Sequence, residues 1–159
     1  MITIVNGGTQ GLGEAVARKL AAGGADGLVL SGRSADRGTA LSAELTSAGT
    51  RTEFVRCDIT DPDAPTAIVG RCEEVFGTVN GVVNVAALTT RSTVFSDTPE
   101  HFDAMMAANT RAPYFLIQAA VRLMVREGSA GSIVNVGSTS AHGGQPRLTL
   151  LLVVVKCGN

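Results

Sequence analysis

Charged residues and cysteines are both scarce in this sequence. Charged side chains make up 17% of the 159 residues, and the formal net charge is −1. Because there is no cluster of Lys and Arg, we do not expect nucleic acid as a partner. The three cysteines, Cys57, Cys72 and Cys157, are far apart and form no C-x-x-C pair. This spacing indicates reduced intracellular thiols, and it argues against a disulfide framework or a metal site.

The sequence also lacks a long apolar segment. No run reaches the roughly 20 apolar residues that a membrane-spanning helix needs, so we expect no membrane contact. The first predicted strand begins at residue 2 and leaves no room for a signal peptide, which favours a cytoplasmic location. Apolar residues nevertheless make up 45% of the chain, and 19 residues are glycine. This composition is typical of a single α/β domain with a buried sheet, and it argues against disorder.

A glycine-rich stretch, V-N-G-G-T-Q-G-L-G at residues 5–13, organises the rest of the sequence. The apolar run 1–5 predicts a buried strand before it, and Leu12, Val16 and Leu20 recur at helical spacing after it. A strand, a glycine turn and a helix N-terminus form a place for phosphate, because the first amides of a helix have no partner within it. The spacing differs from G-x-G-x-x-G, so the loop alone also fits a turn that only packs a helix against a strand. No G-K-[ST] follows it, which disfavours a P-loop nucleotide triphosphatase.

Strand and helix patterns alternate along the remaining chain. Apolar runs predict further strands at 28–30, 52–55, 79–85 and 131–136. Between them, helical patterns end near Gly49, near Gly77 and at Glu127, the last beginning at Pro99 with Pro113 as a place for a kink. The alternation predicts an α/β fold with a doubly wound parallel sheet, a Rossmann-type three-layer αβα arrangement. We expect residues 1–148 to form this dinucleotide-binding domain and 149–159 to be an atypical apolar tail of the same domain.

Polar residues and glycines gather where the predicted strands end. In an open parallel sheet, ligands bind beyond the carboxyl ends of the strands. The residues at those ends are Asn6-Gly7, Gly32-Arg33, Asp58-Ile59, 84–87 and Gly137-Ser138. Their clustering predicts a ligand site at this edge of the sheet.

Arg33 favours one nicotinamide cofactor over the other. An NAD site places a carboxylate at the end of the second strand, whereas the 2′-phosphate of NADP favours an arginine. Arg33 stands about 20 residues past the glycine loop, where the ribose-reading residue belongs, so NADP(H) is preferred over NAD(H). The alternative is a solvated loop charge. Asp36 fits a capping or dipole role at the next helix, and Asp58 either accepts from the adenine amino group or forms a turn before Pro62.

With these residues in place, the chain closely resembles the short-chain dehydrogenase/reductase family. Gly7, Gly11 and Gly13 match the family's TGxxxGxG loop, with Asn6 where the family usually has Thr. Four other features match in the order that the family has them. They are the adenine-side aspartate at Asp58, a segment similar to NNAG at 84–87, the helix asparagine at Asn109 and the catalytic serine at Ser138.

The resemblance implies hydride transfer between NADP(H) and a small carbonyl or alcohol substrate. Ser138 would hydrogen-bond the substrate oxygen, and Asn109 would support a proton-relay water. The implied cofactor-binding residues are Asn6, Gly7, Thr9, Gln10, Gly11, Leu12, Gly13, Arg33, Asp58, Ile59, Asn84 and Ala86. Leu88, Thr89, His142 and Gln145 would border the substrate pocket. Full-length members also form homo-oligomers, through the helix that carries the catalytic tyrosine.

The chain departs from the family where that tyrosine belongs. The Tyr-x-x-x-Lys motif should begin about thirteen residues after Ser138, but Leu151 and Val155 stand at its two positions, with Lys156 one residue out of register. The only tyrosine, Tyr114, falls in the long helical pattern, where we expect it in the core. Thr139, Ser140 and His142 are expected to be loop residues.

The sequence also stops before the family's last helices and strands, and the composition of its tail differs from that of the preceding residues. These departures leave three interpretations open, which differ in the activity they predict. The first is an NADP(H)-dependent oxidoreductase with impaired turnover. The second is a non-catalytic dinucleotide-binding module or pseudo-enzyme, in which oligomers of the family type are not expected. The third and weaker one is another Rossmann-type enzyme, such as a methyltransferase.

Overall fold

The secondary structure follows the predicted alternation of strands and helices. The computed structural model describes residues 1–93 and 95–138 of the chain. Each predicted strand is present there, with ends that differ from the prediction by no more than two residues. The elements are β1 Ile2–Asn6, α1 Gly11–Ala22, β2 Gly27–Gly32, α2 Ala35–Ser47, β3 Arg51–Arg56, α3 Ala64–Phe76, β4 Gly81–Asn84, α4 Pro99–Met106, a π-helical turn Ala107–Arg111, α5 Ala112–Arg126 and β5 Ser132–Asn135.

The described strands form one parallel sheet in the order β3-β2-β1-β4-β5. The chain builds outward from β1 to β3 on one side and then crosses back to place β4 and β5 on the other side of β1. This reversal lies between β1 and β4, and ligands of open α/β sheets bind in the crevice at such a point. The prediction of a doubly wound parallel sheet is confirmed.

Helices cover both faces of the sheet because side chains alternate between the faces along each strand. Ile4 packs on one face with Ile68 of α3 and Leu116 of α5. Its neighbour Val5 points the other way, into a cluster with Leu41 of α2 and residues of α1. Burial of each such side chain contributes roughly 1.5–3 kcal/mol. The predicted three-layer αβα arrangement is therefore present.

One predicted helix is interrupted. The pattern at 99–127 predicts one helix with a kink at Pro113, but α4 passes into α5 through the π-helical turn 107–111. At the end of this turn the Ala112 amide donates to the carbonyl five residues earlier. Pro113 has no N–H, and in a regular helix its ring would crowd the carbonyl of Asn109. The wider turn just before the proline relieves that crowding.

The expectation that Tyr114 packs in the core is wrong. Its side chain is 60% exposed, and its ring meets that of Phe115 edge-on with centroids 5.2 Å apart. The buried face of α5 carries Ala112, Leu116 and Ala120. Tyr114 is two residues from the first two of these, and residues two apart on a helix lie on nearly opposite sides. Tyr114 therefore lies on the side of α5 that faces away from the core.

The described part of the chain shows neither a membrane span nor a metal cluster. Within residues 1–93 and 95–138, no helix is long and apolar enough to cross a bilayer. The same residues bring together no group of three His, Cys, Asp or Glu side chains that could hold a metal ion. Cys57 and Cys72 are free thiols, and burial raises the pKa of Cys72 to about 12. A thiol with so high a pKa stays protonated and unreactive at neutral pH.

Two helical glycines give opposite predictions for stability. A Cβ on Gly38 of α2 would lie 2.2 Å from a ring carbon of Phe54, whereas one on the exposed Gly70 of α3 would meet no neighbouring atom within 4 Å. Gly70→Ala should raise the free energy of unfolding by about 0.5–1 kcal/mol, because alanine loses less backbone entropy in a helix. Gly38→Ala should lower it by roughly 1–3 kcal/mol, because the ring must move. Urea denaturation measures both changes, and a more stable Gly38→Ala variant would contradict this packing.

Candidate functional site

A cleft opens at the carboxyl edge of the sheet, where the strand order reverses between β1 and β4. Its volume is about 630 Å³, which is typical of a cofactor or small-molecule site. The turns after β1, β2 and β3 and the segment after β4 form its walls. The residues that line it are Asn6, Gly7, Thr9, Gln10, Gly11, Leu12, Gly32, Arg33, Ser34, Arg37, Cys57, Asp58, Ile59, Thr60, Val85, Ala86, Ala87 and Leu88.

The structure brings ten of the twelve predicted cofactor-binding residues into this one cleft. The other two, Gly13 and Asn84, lie behind its wall, where they hold the lining residues in place. Several lining residues, Arg37, Cys57 and Thr60 among them, are not in the predicted set. Cys57 and Thr60 lie on either side of the predicted pair Asp58-Ile59 in the sequence. This proximity is the sequence signal that would have placed them at the cleft.

Gly7 and Gly13 let the backbone fold tightly at the start of the cleft. Gly7 has φ +82°, and its amide donates to the Ser31 carbonyl at 3.1 Å. A Cβ on Gly7 would lie 2.7 Å from the Ala86 amide nitrogen, and one on Gly13 would lie 2.0 Å from the Gly7 carbonyl oxygen. Helix α1 therefore begins directly beside the turn. Its N-cap residue, Gln10, makes no side-chain capping hydrogen bond, so the first amides of α1 remain for an anion.

A second helix N-terminus and two arginines form another wall of the cleft. Helix α2 begins after Ser34, whose Oγ accepts a hydrogen bond from the Arg37 amide at 3.5 Å. Arg33 and Arg37 are both exposed and line the cleft, and neither forms a salt bridge with another described residue. Asp36 lies in the first turn of α2, as its predicted dipole role requires. Arg37 follows Arg33 by four residues at the start of a helix, and residues with this spacing lie on the same side of a helix. This spacing is the sequence signal that would have placed Arg37 at the cleft.

Asp58 forms a turn and lines the cleft. Its Oδ1 accepts hydrogen bonds from the Thr60 amide at 2.9 Å and from the Thr60 hydroxyl at 2.8 Å. These two bonds, and to a smaller extent the positive charge of Arg33, lower the pKa of the Asp58 carboxyl. The group is therefore ionised at neutral pH, and its Oδ2 takes no part in the turn. The turn role is confirmed, and the contact with adenine stays a prediction.

Four polar side chains cross the sheet at the strand ends, and we call them the polar ladder: Ser31, Asn6, Asn84 and Asn135. The Ser31 hydroxyl donates to Asn6 Oδ1 at 3.0 Å, and Asn6 Nδ2 donates to Asn84 Oδ1 at 3.3 Å. Asn84 Nδ2 in turn donates to Asn135 Oδ1 at 2.9 Å. The four residues are register partners on β2, β1, β4 and β5. The polar ladder thus ties four strands together below the cleft.

The π-helical turn braces two of the cleft's walls. Asn109 is buried, accepts the Leu88 amide on Oδ1 at 2.9 Å and donates Nδ2 to the Leu88 carbonyl at 3.0 Å. From the same turn, Arg111 Nη2 donates to the Thr60 carbonyl at 2.5 Å. Leu88 and Thr60 both line the cleft. The wider turn therefore lets one short segment fix two loops that are far apart in sequence.

Ser138 lies three residues beyond the end of β5, the strand that pairs with β4. Its side chain is half-buried, and it is not among the residues that line the cleft. The Val136 amide donates to the Asn84 carbonyl at 2.9 Å, so the pairing with β4 continues past the end of β5 toward Ser138. Thr89, predicted to border the substrate pocket, is exposed and is not among the residues that line the cleft. The predicted positions from 139 onward fall outside the described residues: Thr139, Ser140, His142, Gln145, Leu151, Val155, Lys156 and the tail 149–159.

Comparison with known proteins gives relatives along almost the whole chain. A sequence profile of the short chain dehydrogenases matches residues 1–150. A 3beta-hydroxysteroid dehydrogenase of Mediterraneibacter gnavus is 35% identical over 91% of this chain and 52% of its own length. An NADP-dependent (R)-specific alcohol dehydrogenase of Lentilactobacillus kefiri is 32% identical over 92% of this chain and 58% of its own length. The chain thus spans about half the length of the curated relatives it matches.

Solved structures match the fold closely. A metagenomic short-chain oxidoreductase in complex with NADP has a TM-score of 0.90 at 28% identity, over 99% of this chain and 71% of that chain. A short chain dehydrogenase from Burkholderia cenocepacia in complex with NADP has a TM-score of 0.88 at 31% identity, over 98% of this chain and 62% of that chain. Together with the profile that covers residues 1–150, these likenesses show that the chain belongs to the short-chain dehydrogenase/reductase family.

Proposed function

We propose that this chain binds NADP(H) as part of an oxidoreductase that transfers a hydride between NADP(H) and a small carbonyl or alcohol compound. The cleft carries the proposal, because it presents two helix N-termini and two arginines to a ligand. NADP(H) carries a pyrophosphate and a separate 2′-phosphate, so it offers an anion to each helix. Relatives whose names state NADP support the choice of cofactor.

The residues of the cleft fit such a dinucleotide. The pyrophosphate would bind at the free amides that begin α1, which the close packing at Gly7 and Gly13 holds beside the turn. The 2′-phosphate would bind Arg33 and Arg37 beside the N-terminus of α2, since guanidinium groups pair well with phosphate. Asp58 Oδ2, which is outside the turn with Thr60, would accept from the adenine amino group.

The nicotinamide end would lie toward the segment after β4. When bound, NADP(H) supplies or accepts the hydride. Asn109 holds the Leu88 backbone from both sides, and Ser138 would donate a hydrogen bond to the substrate oxygen as charge develops there. Because the Asn109 side chain is engaged by Leu88, we assign the support of a relay water to its main-chain carbonyl. Pro113 has no N–H with which to make the usual helical bond to that oxygen.

The residue that transfers the proton in the family, a tyrosine, has no counterpart at the matching position of this sequence. Leu151 stands where the family has its tyrosine, and a leucine side chain cannot exchange a proton. We therefore infer that this 159-residue chain turns over slowly or not at all. Leu151 also favours a second candidate function, a non-catalytic dinucleotide-binding module or pseudo-enzyme that binds the same cofactor in the same cleft.

Cofactor choice can be tested through the two arginines. We expect the chain to bind NADPH more tightly than NADH by about tenfold or more, because charge-assisted hydrogen bonds to the 2′-phosphate add about 1.5–3 kcal/mol. Arg33→Ala should remove most of this preference, and the double change with Arg37→Ala should remove the rest, with NADH binding little affected in each. Titration calorimetry measures the affinities, with Arg122→Ala on the exposed side of α5 as the matched control. Equal affinity of the unaltered chain for NADPH and NADH would contradict the role of Arg33.

Turnover of the pure chain tests the inference drawn from Leu151. We expect the pure chain to bind NADPH yet oxidise it at the uncatalysed rate in the presence of small ketones and aldehydes, because no proton donor stands at position 151. Loss of NADPH absorbance measures the rate. If turnover is absent, Ser138→Ala should change neither the rate nor NADPH affinity. Robust carbonyl reduction by the unaltered chain would show that another residue replaces the tyrosine, and it would reject the non-catalytic module.

A further inference from the structure

Asn6 joins the two halves of the sheet beneath the cleft. It stands at the end of β1, which pairs with β2 on one side and with β4 on the other. Its side chain is 2% exposed, yet the residue lines the cleft. The side-chain amide accepts from Ser31 and donates to Asn84, so both of its ends are engaged across the two neighbouring strands.

The main chain of Asn6 holds the same boundary. Its carbonyl oxygen accepts the amides of Val85 and Ala86, both at 2.9 Å. Ala86 is the residue against which Gly7 packs so closely that a Cβ there would come within 2.7 Å. A change in the spacing of β1 and β4 at Asn6 therefore moves the Gly7 turn relative to the segment 85–88. These are the two walls between which the cleft opens.

We propose that Asn6 is a positioning residue for the bound dinucleotide, which sets the spacing between the Gly7 turn and segment 85–88 through the polar ladder. The inference rests on the proposed function, because the ligand of the cleft is taken to be NADP(H). The family usually has threonine at this position. A threonine hydroxyl has one oxygen, whereas the Asn6 amide presents an acceptor and a donor on separate atoms, one to each neighbouring strand.

A second asparagine provides a control for general effects on folding. Asn80 lies at the opposite, amino edge of the sheet, where Oδ1 accepts the Ile2 amide at 2.9 Å and Nδ2 donates to the Ala130 carbonyl at 3.3 Å. It bridges elements of the same sheet with the same functional group, but it does not line the cleft. A residue that acts only on stability should behave like Asn80.

The experiment compares Asn6→Asp with Asn80→Asp in the full chain, with NADP⁺ titrated by calorimetry and stability measured by urea denaturation. The introduced carboxylate at position 6 faces Asn84 Oδ1, so an acceptor opposes an acceptor and the strands separate. We expect Asn6→Asp to weaken NADP⁺ binding by about tenfold or more near pH 8, and Asn80→Asp to weaken it by less than about twofold. Both variants are expected to lose stability.

Lowering the pH adds a readout that a purely structural role would not give. A protonated carboxyl donates as the amide does, and burial raises the pKa of such a group toward neutrality. The ratio of dissociation constants between Asn6→Asp and the unaltered chain should therefore fall as the pH is lowered from about 8 to about 6. Taking the ratio at each pH removes the titration of the cofactor's own phosphate.

Ser31→Ala tests the same ladder with a milder change in case Asn6→Asp does not fold. It removes only the hydroxyl that donates to Asn6 Oδ1, and we expect NADP⁺ binding to weaken by about threefold. If the unaltered chain binds no NADP⁺, the proposed function fails and this inference fails with it. If the unaltered chain binds but Asn6→Asp matches Asn80→Asp, or Ser31→Ala binds like the unaltered chain, the inference alone is overturned.

Discussion

The site depends on the close approach of two backbone segments, the turn after β1 and the strand end after β4. Gly7 lies so near Ala86 that no side chain fits between them, and Gly13 then seats α1 on the Gly7 carbonyl. Each contact requires the one before it. A methyl group at either glycine would displace the N-terminus of α1 from the sheet edge and with it the amides available to a phosphate. The tight packing is therefore what turns a sheet edge into an anion site.

The electrostatics of the cleft are local and differ from those of the whole chain. The formal net charge is −1, which gives no indication of an anion site. At the cleft, however, the N-termini of α1 and α2 each carry about half a positive charge, and Arg33 and Arg37 stand beside the second. Asp58 is the negatively charged residue that lines the same cleft, and its Oδ1 is engaged by the amide and the hydroxyl of Thr60. The positive groups of the cleft are thus the two helix N-termini and the two arginines.

The residues of the cleft differ in how far sequence reasoning reaches them. Asn6, Arg33 and Asp58 are predictable because each lies at or just after the end of a strand, and parallel strands bring their carboxyl ends to one edge. The hydrogen bonds that Asn84 and Asn109 form behind the wall of the cleft are not predictable in this way. The bond from Asn84 to Asn135 depends on strand register, and the clamp of Asn109 on Leu88 depends on a π-helical turn that no hydrophobic period signals. The outward position of Tyr114 depends on which face of α5 meets the sheet, and the helical pattern alone does not locate that face.

The residues proposed for cofactor binding and for proton transfer lie in separate parts of this sequence. Among residues 1–93 and 95–138, those that line the cleft lie between Asn6 and Leu88, whereas Ser138 and the position of the family's tyrosine, 151, come much later in the sequence. The polar ladder and the π-helical turn, which brace the cleft, also precede Ser138 in the sequence. In the proposed function, Leu151 supplies no proton donor, whereas these bracing contacts are formed by residues that precede it in the sequence. Under the proposed function, a dinucleotide site would persist without that proton donor, which is the physical basis for the binding-module alternative.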